Sequence, residues 1–459
     1  MGGAGREACS ASIMVPACGR LTANVRRPDP SSTIRRNGVD DRIASCAVPR
    51  GIVWGLVVGL VSVASGCGLA QDDVPSVNGE ADSLSVERIR VPDHWGRGCG
   101  KAASTDPGDL RANRVVARCA PGSPAAEPLP GPAAVRVAVG APTENIAPLL
   151  LADRLGEFAA ENLSVELVSI ADPAEAYAAL ADGEVDVVAG DIHAAFLDTV
   201  TQGAGPRWAL GGSVPSAAGD TATPQAGLWL EPGALERAEQ WTDLEGHRVV
   251  VDDGIAGAVV YPIHNLLRQR NTSLNAVRVE QALGDEAARR LLDGEVAAAW
   301  LESPHWRPVA ARGVHQLVTT RPPIEPIDGM VFAGPLLDAA RQRDVGVAFS
   351  RAIIRTINTY LAANYGNDPD VIAALAEVTG VEDDALGDPP LVFDWELRDG
   401  TLERMQRALI QLGAVTFEQR VEDRRFVDRS LYQEAVEGSP TGELATRRGG
   451  AGAYDQLQG

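Results

Sequence analysis

The sequence predicts an α/β protein of two lobes, each a mostly parallel sheet covered by helices. Three observations carry this. "AVRVAVG" (134–140), "LSVELVSI" (163–170) and "VDVVAGD" (185–191) are short, near-continuous apolar runs separated by amphipathic stretches, the pattern of strands buried on both faces by crossover helices. "LEGHRVVVDD" (244–253), "NAVRVEQAL" (275–283) and "VAAAWLES" (296–303) repeat that grammar. Finally, "ALADGEVDVVAGD" and "LLDGEVAAAWLES" each place a helix, a Gly-Glu turn and a short apolar strand in the same order. A chain of 459 residues also exceeds the roughly 250 to 300 at which single cores stop growing.

Taken in order, the first strand (134–140) leads to "TENIAPLLLADRLGEFAAEN", read as one helix. Thr143 or Asn145 can cap it, Pro148 stands in its first turn, and Leu150, Leu151, Leu155 and Phe158 share a face. Strand 163–170, helix "DPAEAYAALADGE" and strand 185–191 follow. In the second unit a helix from about Ala258 through Leu267 and a helix "DEAARRLLDGE" alternate with the three strands. Beyond Thr320 come "IDGMVFAG" and a helix pair in 344–380, with Ile353, Ile354, Ile357 and Leu361 on the packed face.

The amino-terminal part reads as export machinery. Ile52 to Ala64 is almost continuously apolar behind Arg42 and Arg50, shorter than the roughly 20 residues a spanning helix needs. Ala64-Ser65-Gly66-Cys67 then resembles the bacterial lipoprotein box, which implies a signal peptide over 51–66 and a diacylated Cys67 that tethers the chain outside the cell membrane. The alternative is cleavage after Ser65 or Ala70 and a secreted protein. Residues 1–50 are a dispensable extension, or the true start lies downstream near Val48. From 67 to 132 a Gly-, Pro- and Asp-rich stretch reads as a disordered linker, and 441–459 as a disordered tail. Within the linker, Cys99 and Cys119 are the cysteines left after Cys9, Cys18 and Cys46 upstream and Cys67 are set aside. In an exported chain a Cys99–Cys119 bridge is expected over two free thiols.

Composition narrows the function. Net charge is −21, and because eight arginines and only four acids precede Cys67, the remainder carries −25. Such a surface repels phosphate backbones, which excludes nucleic acid as a partner. Two cysteines with no histidine at ligand spacing exclude a structural zinc site, and no cofactor is expected. The nucleophile elbow, the zinc helix, the phosphate loop and the dinucleotide glycine motif are all missing from the text, so the reading is a binder and not an enzyme.

In series, "NIAPLLLADRLGEFAAENLSVELV", "ALADGEVDVVAG", "DLEGHRVVVDDG", "LLDGEVAAAWLESP" and "YLAANYGNDPDVI" resemble the extracytoplasmic solute-binding proteins of ABC importers, in the branch of nitrate, taurine, sulfonate and thiamine-precursor binders. The resemblance covers about Val135 to Val436. It implies the periplasmic-binding-protein type II fold with a ligand cleft between the lobes, a monomer whose lobes close on a small-molecule ligand, and an ABC permease and ATPase as partners. It places the first lobe at 133–227 and 320–440 and the second at 228–319. A sensor or an enzyme on the same fold is the alternative.

In parallel sheets the loops leaving the carboxyl ends of strands line the crevice. Those loops hold Thr143, Glu144 and Asn145; Asp191 and His193; Asp253, Gly254, Ile255, Ala256 and Gly257; and Trp300 and Glu302. Thr143, Asn145 and Asp191 could equally be caps, and His193 a solvated loop histidine. Gly254 and Gly257 either let backbone approach a ligand or make ordinary turns; Trp300 is a stacking wall or a core residue, with Trp306 and Tyr261 as weaker candidates. Glu144, Asp191, Asp253 and Glu302 stand there without an arginine, which disfavours an anion and points to a neutral or cationic ligand, such as an aminopyrimidine-like ring stacked on Trp300.

Overall fold

The computed structural model describes residues 99, 106, 108–110, 116–203, 205–215, 224–231, 244–269, 271–317, 325–338, 342–362 and 364–437. Cys67, the apolar run before it, the amino-terminal extension and the tail from 441 lie outside them.

In the first sheet, β1 (Ala133–Val139), β2 (Leu163–Ser169), β3 (Val187–Asp191), β4 (Arg207–Gly211) and β11 (Asp328–Phe332) stand in the order β2-β1-β3-β11-β4. In the second, β6 (Gly227–Leu230), β7 (Arg248–Val251), β8 (Arg278–Gln281), β9 (Ala298–Leu301) and β10 (His315–Leu317) stand in the order β8-β7-β9-β6-β10. The two orders are the same pattern. In each, three parallel strands are followed by one that arrives from the other sheet and runs against both neighbours, so four of the five strands point one way. A short ribbon of β5 (Ser213–Pro215) with β12 (Leu391–Phe393) flanks the first sheet.

This reversal matters for the cleft. A parallel strand ends at the crevice, whereas the opposed strand begins there: Asp328 at the start of β11 pairs with Asp191 at the end of β3, and Gly227 at the start of β6 pairs with Leu301 at the end of β9.

The helices pack their apolar stripes on these sheets. They are α1 (Ala147–Arg154), α2 (Pro173–Asp182), α3 (Ala194–Thr201), α4 (Val260–Gln269), α5 (Gly284–Leu292), α6 (Trp306–Ala311), α7 (Gly334–Leu337), α8 (Arg343–Tyr360), α9 (Pro369–Thr379), α10 (Thr401–Leu412) and α11 (Ser430–Glu437). Asp172 caps α2 through Ala174 N–H at 2.8 Å, and Asp368 caps α9. The single helix expected over 143–162 is broken. It opens with a 3-10 turn, Glu144–Ile146, and α1 ends where Gly156 takes φ +79°, a left-handed conformation that stops the helix and turns Phe158 onto Phe349 of α8 at 4.8 Å between ring centres. Ile353, Ile354, Ile357 and Leu361 are all buried.

Residues 116–132 correct the expectation of a disordered linker reaching to 132. They form a strap held along α8: Cys119 N–H donates to Asn358 Oδ1 at 2.9 Å, Gly122 N–H to Thr359 Oγ1 at 2.9 Å, and Arg355 reaches the Pro124 carbonyl at 3.2 Å. Beneath the strap Glu161 is wholly buried between Arg351 and Arg355, at 2.9 and 2.7 Å, with Glu127 and Glu157 as further partners of the arginines. The Cys99–Cys119 disulfide is formed. A Cys99→Ser/Cys119→Ser variant, freeing a loop with a sequence separation of 20, should lose about 3 kcal/mol, read as a lower urea midpoint.

The assignment of all of 320–440 to the first lobe also needs correction at α10. That helix packs on α4 of the second lobe, where Gln411 Nε2 donates to Ser273 Oγ at 3.1 Å. Glu325, on the segment returning to β11, ties the two helices, accepting from Tyr261 OH of α4 at 2.6 Å and from Arg404 and Thr401 of α10.

Candidate functional site

The carboxyl ends of β3 and β7 meet directly. Ala258 N–H donates to the Ile192 carbonyl at 2.9 Å and His193 forms a backbone bridge with Gly257, so the two sheets touch through the loops that the sequence nominates. The fold of this loop needs Gly257, because a Cβ there would stand 2.7 Å from the Asp253 Cβ. Two side-chain contacts repeat the crossing: Ser303 Oγ donates to Glu144 Oε2 at 3.0 Å and Asn145 Nδ2 to Glu302 Oε2 at 3.4 Å.

Several nominated residues turn out to build the walls. Glu144 is 3% exposed and its other oxygen accepts from Tyr365 OH at 2.7 Å and Gly387 N–H at 2.9 Å, so its carboxylate is satisfied by the protein and is withdrawn from the ligand set. Thr143 bonds to Asn145. His193 is buried and its Nδ1 accepts from Ala195 N–H at 3.1 Å, which makes it the cap of α3 and not a solvated loop histidine. Burial lowers its pKa, keeping the ring neutral as that acceptor role requires. Trp306 stacks on Trp229 in the second-lobe core at 6.1 Å, and Tyr261 is spoken for by Glu325, so neither faces the cleft. Gly254 has φ +58° and opens the 3-10 turn Gly254–Ala256, with Ile255 exposed and Ala256 half-buried.

What remains is a set of carboxyls drawn from both lobes. Asp191 and Asp328 come from the first sheet; Asp252, Asp253 and Glu302 come from the second. Burial raises the pKa of every one. After burial, Asp191 is pushed up by Glu302, Asp328, Asp253 and Asp252, and stands well above the usual carboxylate range. Asp252 reaches about 7 through burial and then Glu302 and Asp253. Asp328 also reaches about 7, although Ser213 donates both its N–H and its hydroxyl to the two oxygens at 2.8 Å. Among the described residues none of the five has an arginine or lysine within salt-bridge distance. One oxygen of Asp252 is buried with no hydrogen-bond partner.

Trp300 is half-buried beside this group and its indole N–H donates to Glu302 Oε1 at 3.3 Å. An aromatic face and a carboxylate thus stand side by side, the pairing that suits a cation. Among the described residues no three acidic, histidine or cysteine side chains converge closely enough to hold a metal ion. Asp252 and Asp328 were missed by the sequence reading. Asp252 stands one residue before the nominated Asp253, and Asp328 at the start of a strand.

No family model matches the chain, and no curated protein matches it in sequence. Among solved structures, the periplasmic nitrate-binding protein of Synechocystis gives a TM-score of 0.49 at 12% identity, over 67% of this chain and 89% of its own. The alkanesulfonate-binding protein of Xanthomonas axonopodis, solved with MOPS, gives 0.47 at 16%, over 66% and 100%. The ligand-binding component of an ABC-type import system from Staphylococcus aureus, solved with zinc bound, gives 0.50 at 14%, over 66% and 99%. With the last of these the chain shares its fold: two α/β lobes joined by two crossings.

Proposed function

We propose that this protein is the extracytoplasmic solute-binding component of an ABC importer, and that it closes its two lobes on a small polar organic cation. The observation that carries the reading is the set of five uncompensated carboxyls contributed by both lobes. Buried carboxylates without a counter-charge are costly, and each is relieved by a positive group that enters between the lobes. A ligand with two or more N–H donors can meet Asp191, Asp328 and Glu302 together, with its flat part against Trp300. An aminopyrimidine-like ring fits that description. The ligand is held by groups on both sides, so closure is coupled to capture. In this reading Cys67 carries the lipid, the body works outside the cell membrane as a monomer, and a permease with its ATPase receives the solute.

Calorimetry against small organic cations and aminopyrimidines, with taurine and nitrate alongside, tests this. A cation should bind with a stoichiometry of one, and Glu302→Gln should weaken it by about 2 kcal/mol or more, roughly thirtyfold. Tight taurine or nitrate binding with no binding of any cation would refute the proposal.

A further inference from the structure

The groove between α4 and α10 carries the opposite charge from the cleft. On α4, Tyr261, His264, Asn265 and Arg268 recur at the three-, four- and seven-residue spacing of one helix face; on α10, Arg404 and Arg407 are three apart. These six residues line a cavity of about 380 Å³. Arg404 is engaged with Glu325, its Nε donating at 2.9 Å. Arg268 and Arg407 are exposed, and among the described residues neither has a carboxylate within salt-bridge distance. In a chain of net charge −21, two guanidiniums without a carboxylate partner thus face one cavity.

Solvation alone would account for two exposed arginines. It does not account for His264. Its ring is 4% exposed, it lines the same cavity, and its Nδ1 has no hydrogen-bond partner. A buried polar atom left unpaired costs about 1 to 3 kcal/mol, which is avoided if an occupant of the cavity supplies the partner. Burial, then Arg268 and Arg407, lower the pKa of His264, so the ring is neutral and can place its proton on Nδ1 as a donor.

We infer that this groove is a second binding site, separate from the cleft, for a small anion bearing a phosphate or carboxylate group. Arg268 and Arg407 grip its oxygens by charge-assisted hydrogen bonds, His264 Nδ1–H donates to one oxygen, and Asn265 closes the donor set. An anion there bridges the second lobe to α10, beside the Glu325 contacts on the returning segment.

Calorimetry on the full chain with inorganic phosphate, pyrophosphate and citrate, at ionic strength held constant with chloride, tests the site. At least one of these should bind one-to-one, and which one distinguishes a phosphate from a carboxylate ligand. The Arg268→Gln/Arg407→Gln double variant should lose about tenfold or more in affinity while unfolding at the same temperature, since both side chains are exposed. Arg268→Lys should lose less. Glu302→Gln in the cleft should leave anion affinity within about twofold, which separates this site from the proposed solute site. If none of the three anions binds the wild-type protein, or if the double variant binds them as tightly as wild type, the inference is wrong.

Discussion

Raising the pH from 5 to 8 should lower the thermal midpoint of the protein without added solute, and Asp252→Asn/Asp328→Asn should flatten that slope. A carboxyl whose pKa is higher in the folded state than in the unfolded chain binds its proton more tightly when folded. Its folded stability therefore falls as the pH rises between the two values. For Asp252 and Asp328 the window runs from the usual 3.8 to about 7. Below it both states are protonated and there is no penalty; above it the folded state holds the carboxylates against burial and against Glu302. Each pKa unit corresponds to about 1.4 kcal/mol, so either carboxyl alone could contribute a few kcal/mol. Differential scanning calorimetry across this range is the check. A midpoint that rises with pH, or a slope unchanged in the double variant, would contradict this electrostatic account of the cleft.

The second large effect lies under the strap. Glu161→Gln should destabilise the protein by about 3 to 5 kcal/mol, because it strips the counter-charge from two guanidiniums that cannot reach water. Arg351 and Arg355 are 3% and 4% exposed, and Glu161 sits between them at 2.9 and 2.7 Å. The remaining acids, Glu127 and Glu157, each serve one arginine from a more exposed position. A replacement that removes the whole group, Glu161→Leu with Arg351→Met and Arg355→Met, should recover much of the loss. Chemical denaturation separates the two cases, and equal midpoints for wild type and Glu161→Gln would show that the network does not hold the strap.

How much of this could be read beforehand depends on where the controlling contacts lie. The strands were legible because burial on both faces forces apolar runs such as "VDVVAG" and "HRVVV". Asp191, Asp253 and Glu302 followed from the rule that parallel strands end at the crevice. Asp328 did not, since β11 runs the other way and presents its first residue there. Strand direction is set by the crossing from the second lobe, which leaves no local mark.

The strap at 116–132 reads as linker because its order depends on Arg351 and Arg355, more than 200 residues away. Glu144 and His193 lie in the loops where the two sheets touch, yet their partners, Tyr365, Gly387 and the α3 backbone, give them a supporting role that no local signal marks. The groove between α4 and α10 had no sequence signature either. Arginines on a helix face look like any solvated face until the opposing helix is known.

The central claim is that carboxyls from two lobes converge on one positively charged solute. Native mass spectrometry of the protein purified without denaturation at neutral pH, followed by identification of whatever is released on unfolding, addresses it most directly. The account predicts one small organic cation per chain, lost from a Glu302→Gln/Asp191→Asn variant. A released sulfonate, nitrate or other anion bound between the lobes would contradict it.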